Sequence, residues 1–391
     1  MGHKPISLIA AGAYLAALAL PLDPRFALVV LLIGMGAAIS GSEQPDWQVP
    51  LGYALIAYLL ASLLSLGVST FASQLFPKSL SLIPAALLFA IIAGQAGKRA
   101  ALWLTEVLAA TAGLVAAVFA GLALLYPDAS PTERMGLAGY PQFGVPNDLL
   151  FAAILSPLAL TSLLRQELRP RLLGGLSLLA IMSTVILYRS RGAVLVLLVG
   201  LLTFTAARRP RLVMPVITGL ILLILGLDAL QSFALTEKFG GLWGARLPLW
   251  QGAWNMFLDA PLLGHGPGSF EILYDAYVRP ESAPDWAAHD PRKAPWPHQI
   301  YLEALAERGI LGGLALSALL VTALKTAWSG LRLNNTATVR NLFAALLGSL
   351  AAIAIAGLFE LSLVRHWLQV VLAGECALLI IARNAASPPQ R

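Results

Sequence analysis

Two arginines and one histidine are the side chains of this sequence best placed to do chemistry. Arg191 and Arg246 stand beside apolar segments, where a guanidinium group either binds an anion or reaches the membrane surface. The planar fork of arginine binds two phosphate oxygens at once, so the pair predicts an anion site. His298 follows Trp296 and Pro297, and a neutral histidine there suits a general base that takes the proton of a hydroxyl group.

The local sequence gives each of these residues a context. Gly192 lets a ligand approach the backbone, and the helix predicted to begin beside Arg191 points its positive end at the same place. Pro297 suits the first turn of a helix, so we expect His298 in that turn, where the helix dipole lowers its pKa. Each residue also has a structural interpretation, as a surface or loop arginine or as a packed histidine.

The other histidines do not predict a metal site. His265 and His289 share a polar interval with His298, but no H-x-x-x-H or H-E-x-x-H spacing is present. The segment GHGPGSF at 264–270 lacks the strand and the lysine of a phosphate-binding loop, so we predict a tight turn there.

Several further charged residues have structural interpretations. Arg189 suits the membrane surface, where its long side chain reaches the polar layer. We interpret Glu303, Glu307 and Arg308 as the polar face of a helix. Glu360 is interpreted as a partnered structural acid near the end of a span, although a functional role stays open.

The composition of the chain indicates that membrane-spanning helices position these residues. Of 391 residues, 58% are hydrophobic and 12% are charged, against about 25% charged residues in soluble domains. We predict an all-α integral membrane protein with about twelve transmembrane helices. The spans are expected near 5–21, 26–41, 50–69, 79–97, 101–126, 148–164, 172–188, 192–207, 212–229, 311–328, 341–359 and 367–383.

Lysine and arginine residues determine the predicted orientation. Most of those in short loops, such as Lys98, Arg99 and Arg208, fall on one side when the N-terminus is cytoplasmic. The net charge of +6 is therefore assigned to helix ends, and no nucleic-acid partner is expected. With twelve spans both termini are cytoplasmic, and Arg191 and Arg246 face the opposite side.

One long polar segment divides the chain. We predict an N-terminal bundle of about nine spans at 1–229, an external loop at 230–310, and about three spans at 311–391. The stretch 247–258 within the loop has helical apolar spacing and is expected to lie on the bilayer surface as a short amphipathic helix. A polar segment this long in an apolar chain indicates recognition or chemistry.

In this context the sequence resembles the bacterial O-antigen ligase and O-antigen polymerase superfamily. The resemblance rests on FGVPNDLL with Asn147, the tripeptide SRG, Arg246 with Trp250, the turn APLLGHGPGSF and the run PHQIYLEALAERGILGG, spread over roughly 140–315. Relatives often have Asn or Ser after the histidine. Gln299 stands there in this chain and keeps a neutral hydrogen-bonding group.

The resemblance implies a glycosyltransferase that moves a preassembled glycan from undecaprenyl diphosphate to a hydroxyl of lipid A–core oligosaccharide. It implies that Arg191 and Arg246 bind the diphosphate and that His298 is the general base. It also implies an inverting reaction without metal or other cofactor, at the periplasmic side of a Gram-negative inner membrane. Donor, acceptor and membrane lipids are the expected partners. We further predict supporting roles for Arg189, Asn147, His289 and Tyr301.

Other activities stay open at this point. One is the polymerase of the same superfamily, which joins lipid-linked repeats, and another is protein O-glycosylation. Protein-glycosylating relatives often carry a further C-terminal domain, whereas this sequence ends soon after the last predicted span, which favours a ligase. A transporter would place charges near the bilayer midplane within paired repeats, and no such repeat is apparent.

Overall fold

A computed structural model describes the residues 4–19, 21–22, 24–40, 50–79, 82–94, 98–139, 143–215, 218–219, 246–278, 295–333 and 336–386. Within these ranges the chain forms α-helices, short 3₁₀ helices and turns, and no β-strand. The predicted all-α fold class is therefore confirmed.

The helices are numbered in chain order over the described residues. The first seven are α1 (Lys4–Ala19), α2 (Pro24–Ser40), α3 (Pro50–Val68), α4 (Ala72–Ser79), α5 (Leu82–Ala93), α6 (Lys98–Leu125) and α7 (Pro131–Gly136). The others are α8 (Leu150–Leu163), α9 (Leu168–Leu187), α10 (Arg191–Arg208), α11 (Leu247–Asp259), α12 (Ser269–Tyr277), α13 (Ile300–Arg332), α14 (Ala337–Ala356) and α15 (His366–Ala386). Short 3₁₀ helices cover Pro146–Leu149 and Pro210–Leu212.

Eight helical segments of the described chain are long and apolar enough to cross a membrane. They are α3, α6, α9, α10, α13, α14, α15 and the segment Pro146–Leu163, which includes α8. Shorter apolar helices cover Leu8–Ala19, Pro24–Gly36 and Leu82–Ala93. Each of these apolar helices coincides with one of the predicted spans. The predicted span near 212–229 lies mostly outside the described residues, so the count of twelve stays a prediction.

Small residues let the long helices pack closely. An ideal Cβ at Gly348 of α14 would lie 2.5 Å from the carbonyl oxygen of Gly200 in α10. An ideal Cβ at Gly174 of α9 would lie 2.4 Å from the backbone nitrogen of Leu163 in α8. Since lipid tails are as apolar as leucine side chains, such close backbone packing is what holds membrane helices together.

Helix α13 is interrupted at Gly309, which has φ 63° and ψ −165°. The turn that follows α11 supplies hydrogen-bond partners to both sides of the break. These bonds run from His265 N to Ala306 O (3.2 Å), Gly266 N to Glu307 O (2.8 Å), Ile310 N to Pro261 O (2.8 Å) and Leu311 N to Leu262 O (3.5 Å). The turn therefore replaces the helical bonds that the break removes.

The predicted tight turn at 264–270 is confirmed by its backbone. Gly264, Gly266 and Gly268 have φ angles of +67°, +107° and +84°, a region that side chains with a Cβ rarely adopt. The Glu307 carboxylate accepts hydrogen bonds from Gly268 N (2.8 Å) and Phe270 N (3.2 Å). A carboxylate of the protein itself thus occupies the amide groups that a phosphate would need.

The interpretation of Glu303, Glu307 and Arg308 as an exposed polar face is wrong. Their relative exposures are 0%, 0% and 1%. Arg308 donates to Glu307 Oε2 (3.2 Å) and to Ser62 Oγ of α3 (3.0 Å). The periodicity predicted one face of a helix, but Ser62 of α3, which covers this face, is 246 positions from Arg308 in the chain, so the packing is not visible in the local sequence.

The predicted amphipathic stretch forms α11, which packs against α13 and α12. Leu249, Ala253 and Met256 are buried on its inner face, whereas Trp254 and Leu258 are exposed. Helix α11 therefore has apolar residues on two faces, one of which packs against the rest of the protein while the other is exposed. The location of α11 at the bilayer surface stays a prediction.

Candidate active site

The residues predicted to do chemistry meet at one end of the bundle. Four of them surround Glu360, which follows α14: Asn147, Arg191, Arg246 and His298. They come from the turn before α8, the first residue of α10, and the residues that precede α11 and α13. The site is therefore assembled from segments far apart in the chain.

Glu360 is the acidic centre of this site. Its carboxylate forms an ion pair with Nη2 of Arg246, and its side chain is 7% exposed. The carboxylate also accepts a hydrogen bond from the Asn147 side chain and feels the charge of Arg191. Burial raises the pKa of Glu360, while Arg246, Asn147 and Arg191 act in the opposite direction. The interpretation as a partnered acid is consistent with this geometry, and its partners are the predicted site residues.

Arg191 is the first residue of α10, as its sequence context predicts. The Ser190 side chain caps this helix by accepting a hydrogen bond from Ala193 N (3.3 Å). An ideal Cβ at Gly192 would lie 3.6 Å from Glu360 Cγ. The space beside Gly192, where we expected a ligand, is thus occupied by Glu360.

His298 lies in the turn before α13 rather than in its first turn. The helix begins at Ile300, and its N-cap is Gln299, whose Oε1 accepts a hydrogen bond from Leu302 N (2.9 Å). The expectation that Pro297 and His298 start the helix is wrong because Gln299 takes the capping position. His298 has φ +56°, a sparsely populated backbone conformation of a kind that clusters at functional sites.

The environment keeps the imidazole of His298 neutral. Its pKa is lowered to about 4, first by burial and then by the charges of Arg246 and Arg365, against a hydrogen bond with the Glu360 backbone. We predicted the direction correctly, but the cause is burial and neighbouring arginines rather than a helix dipole. Among the described residues Nδ1 is buried without a hydrogen-bond partner. A general base requires a neutral imidazole ring whose unprotonated nitrogen can accept a proton.

Two tryptophans hold the segment that carries His298. Nε1 of Trp250 in α11 donates to the carbonyl oxygen of Pro297 (3.1 Å). The Trp296 ring meets the His298 ring edge-on with centroids 5.9 Å apart. The Arg365 guanidinium lies 4.3 Å from the centroid of the Trp296 ring, a cation–π contact that fixes the indole.

Sequence analysis missed a second ion pair beside the site. Nη1 of Arg365 lies 2.9 Å from Oδ1 of Asp148, whose other oxygen accepts from Gly144 N (3.0 Å) and Val145 N (3.1 Å). The indole of Trp367 also donates to Asp148 (3.3 Å). Asp148 follows Asn147 directly and Arg365 precedes an apolar span, so a charged residue next to a span was the available signal for both. Their pairing joins α8 to α15 and needs the fold to be seen.

The remaining predicted residues are placed differently. The Tyr301 hydroxyl donates to the carbonyl oxygen of Ala354 (2.8 Å), so this side chain anchors α13 to α14. Arg189 is exposed at the end of α9 and has φ +49°. His289 lies outside the described residues.

A cleft opens between these side chains. It is lined by Asn147, Asp148, Leu150, Trp296, Glu360, Leu361, Ser362, Arg365 and Trp367. The cavity is about the size of one water molecule, so a sugar does not fit into it without movement of the lining side chains.

Residues 175–317 match the family model described as O-antigen ligase. This match supports the O-antigen ligase superfamily for the segment. The resemblance inferred from the sequence motifs is thereby confirmed. No curated protein is matched by the chain.

The O-antigen ligase segment contains one part of the site. Arg191, Arg246 and His298 lie within the matched residues, whereas Asp148 and Glu360 lie outside them. Arg365, the partner of Asp148, also lies outside the matched residues, so the site combines this segment with the flanking chain. This superfamily includes ligases and polymerases, so the match supports a membrane glycosyltransferase of one of these kinds.

Proposed function

We propose that this protein transfers a preassembled glycan from undecaprenyl diphosphate to a hydroxyl of lipid A–core oligosaccharide, which completes lipopolysaccharide. The observation that carries the proposal is the meeting of Arg191, Arg246 and a neutral His298 at one end of the bundle. The O-antigen ligase match supports a lipid-linked glycan as donor.

Each residue has a defined task in this reaction. The bond between the anomeric carbon and the diphosphate oxygen breaks, and the diphosphate leaves with the electron pair. Arg191 and Arg246 bind its oxygens and stabilise the negative charge that grows on them. The acceptor oxygen attacks from the opposite face, which inverts the anomeric carbon, and its proton passes to His298. The two arginines supply the charge stabilisation, so the proposal includes no cofactor.

Donor binding should make His298 a stronger base. A histidine with a pKa of about 4 is neutral at pH 7 but accepts a proton weakly. The diphosphate brings negative charge beside Arg246, one of the groups that lower this pKa. We expect the pKa of His298 to rise in the donor complex, so that the histidine accepts a proton readily only when the donor is in place.

The proposed orientation places the site in the periplasm and both termini in the cytoplasm of a Gram-negative cell. The lysine and arginine residues of the short loops support it. The exposed Trp254 and Leu258 of α11 offer an apolar surface beside which the polyprenyl tail enters from the membrane. Positioning of both substrates at this surface is then a major part of the rate enhancement.

Gel analysis of lipopolysaccharide from a deletion strain tests the acceptor. Loss of long chains with accumulation of a lipid-linked polymer supports the ligase. Single repeats attached to core indicate the polymerase, and loss of glycan from a protein indicates protein O-glycosylation. Transfer by the purified protein, with lipid-linked donor and lipid A–core in detergent, should then reproduce the activity.

A further inference from the structure

Glu360 stands among three arginines and one amide. It forms the ion pair with Arg246, and the charges of Arg191 and Arg365 also act on it. Asn147 donates a hydrogen bond to it. Asp148 pairs with Arg365, so the described part of this group holds three guanidinium groups and two carboxylates.

A carboxylate and a phosphate present similar oxygens to a guanidinium fork. Glu360 therefore uses the same donor atoms of Arg246 that the proposed function assigns to the diphosphate. A long arginine side chain loses conformational entropy when it is held in one geometry. A carboxylate that holds it beforehand prepares the site, but the same contact has to break when another anion binds.

We propose that Glu360 is a resident anion of the donor site, which holds Arg246 in place and is displaced from it by the diphosphate of the donor. This inference rests on the proposed function and adds a positioning residue to it. Asn147 and Arg365 remain beside the displaced carboxylate, so Glu360 keeps polar partners after Arg246 has turned to the diphosphate.

Calorimetry with inorganic pyrophosphate tests the competition directly. The full-length protein in detergent is compared with Glu360→Gln, which removes the charge but keeps the shape. We expect Glu360→Gln to bind pyrophosphate at least about tenfold more tightly, because breaking a close charge pair costs more than 1.4 kcal/mol, the equivalent of tenfold in affinity. Glu133→Gln is the matched control, since Glu133 caps α7 at an exposed position and contacts Ser130. It should leave pyrophosphate binding unchanged.

A second comparison shows whether the effect passes through Arg246. In an Arg246→Ala background, Glu360→Gln should no longer tighten pyrophosphate binding. In the transfer reaction, Glu360→Gln should lower KM for the donor, because no carboxylate then competes with the diphosphate for Arg246. A purely structural acid would not tighten donor binding when its charge is removed.

The outcomes separate this inference from the proposed function. If wild-type binding of pyrophosphate depends on Arg246 but Glu360→Gln binds equally or more weakly, the resident-anion inference alone is overturned. If neither wild type nor Glu360→Gln binds pyrophosphate, both proposals fail. Should Glu360→Gln not fold, Glu360→Asp withdraws the carboxylate by one methylene and should still tighten binding by a smaller factor. Unchanged binding by Glu360→Asp would then overturn the inference.

Discussion

His298 combines a strained backbone, a buried Nδ1 and a low pKa. Strain of this kind persists only when the surroundings over-determine it, here through Trp250 on one side and Gln299 on the other. At the scale of single residues, the site therefore contains an imidazole that is neutral and held in place, close enough to Arg246 and Arg365 for their charges to lower its pKa.

We predict that His298→Ala lowers the transfer rate by about 10²–10⁴-fold, the usual effect of removing a general base. The wild-type kcat/KM should fall as the pH drops through about 4, because protonation of the free enzyme's histidine removes the base. The variant should lack this acidic limb while its pyrophosphate binding persists. A variant with near-normal turnover and the same pH profile would place the base elsewhere.

The two arginines of the donor site should not tolerate lysine. Arg191→Lys and Arg246→Lys keep the charge but lose the bidentate fork, so we predict transfer to fall by about tenfold to a hundredfold, with weaker donor binding. Arg134→Lys is a suitable control, because Arg134 lies in the short helix α7 and donates to the carbonyl oxygen of Tyr126 (2.8 Å). Full activity of both site variants would contradict diphosphate binding by these residues.

At the scale of helices, the site depends on how α11 and α13 are joined. Trp250 of α11 ties down the carbonyl group of Pro297, next to His298. The turn at 261–266 then bonds to both halves of α13. The position of the histidine is thus determined by the packing of α11 rather than by α13 alone.

We predict that Trp250→Phe lowers kcat by about five- to tenfold, which corresponds to one hydrogen bond of about 1 kcal/mol. Affinity for pyrophosphate and thermal stability should change little, because the ring is kept. Trp254→Phe in the same helix is the control, since Trp254 is exposed. Equal loss of activity in the two variants would argue against a role of this hydrogen bond.

Gly309 should be the least tolerant glycine of α13. Its φ and ψ lie in a region that is essentially restricted to glycine, and an ideal Cβ would lie 2.3 Å from the Leu262 carbonyl carbon. We predict that Gly309→Ala destabilises the protein by roughly 3 kcal/mol or more. Thermal unfolding in detergent measures the loss. Gly121→Ala in α6, where nothing lies within 4 Å of the added Cβ, should be neutral or stabilising, and a similar loss there would contradict the argument.

At the scale of the whole molecule, the starts of α8, α10, α13 and α15 and the end of α14 share one end of the bundle with α11 and α12. This arrangement is consistent with a site that faces one side of a membrane.

A labelling experiment tests which side that is. We predict that a cysteine at Ala276, which is exposed in α12, reacts with a membrane-impermeant thiol reagent once the outer membrane is permeabilised. A cysteine at Gln166, exposed between α8 and α9, should react only after the inner membrane is broken. The native Cys376 is buried and is replaced by serine in both variants. The reverse pattern would invert the proposed topology.

The sequence was informative where residue type alone carries the signal. Apolar runs predicted the helices, and arginine and histidine beside them predicted which side chains gather at the site. The ion pairs of Glu360 with Arg246 and of Asp148 with Arg365 join helices far apart in the chain, so no local pattern indicates them. The start of α13 was misplaced because Pro297 and Gln299 are both good starting residues, and only the backbone distinguishes them.

The break at Gly309 also has a consequence for biosynthesis. Inside a bilayer, each unpaired backbone group costs several kcal/mol, and Ala306 O and Ile310 N are hydrogen-bonded to the turn at 261–266. That turn precedes α13 in the chain, so it is synthesised before α13. In the proposed topology the turn can therefore bond to the backbone of α13 as soon as this helix enters the membrane.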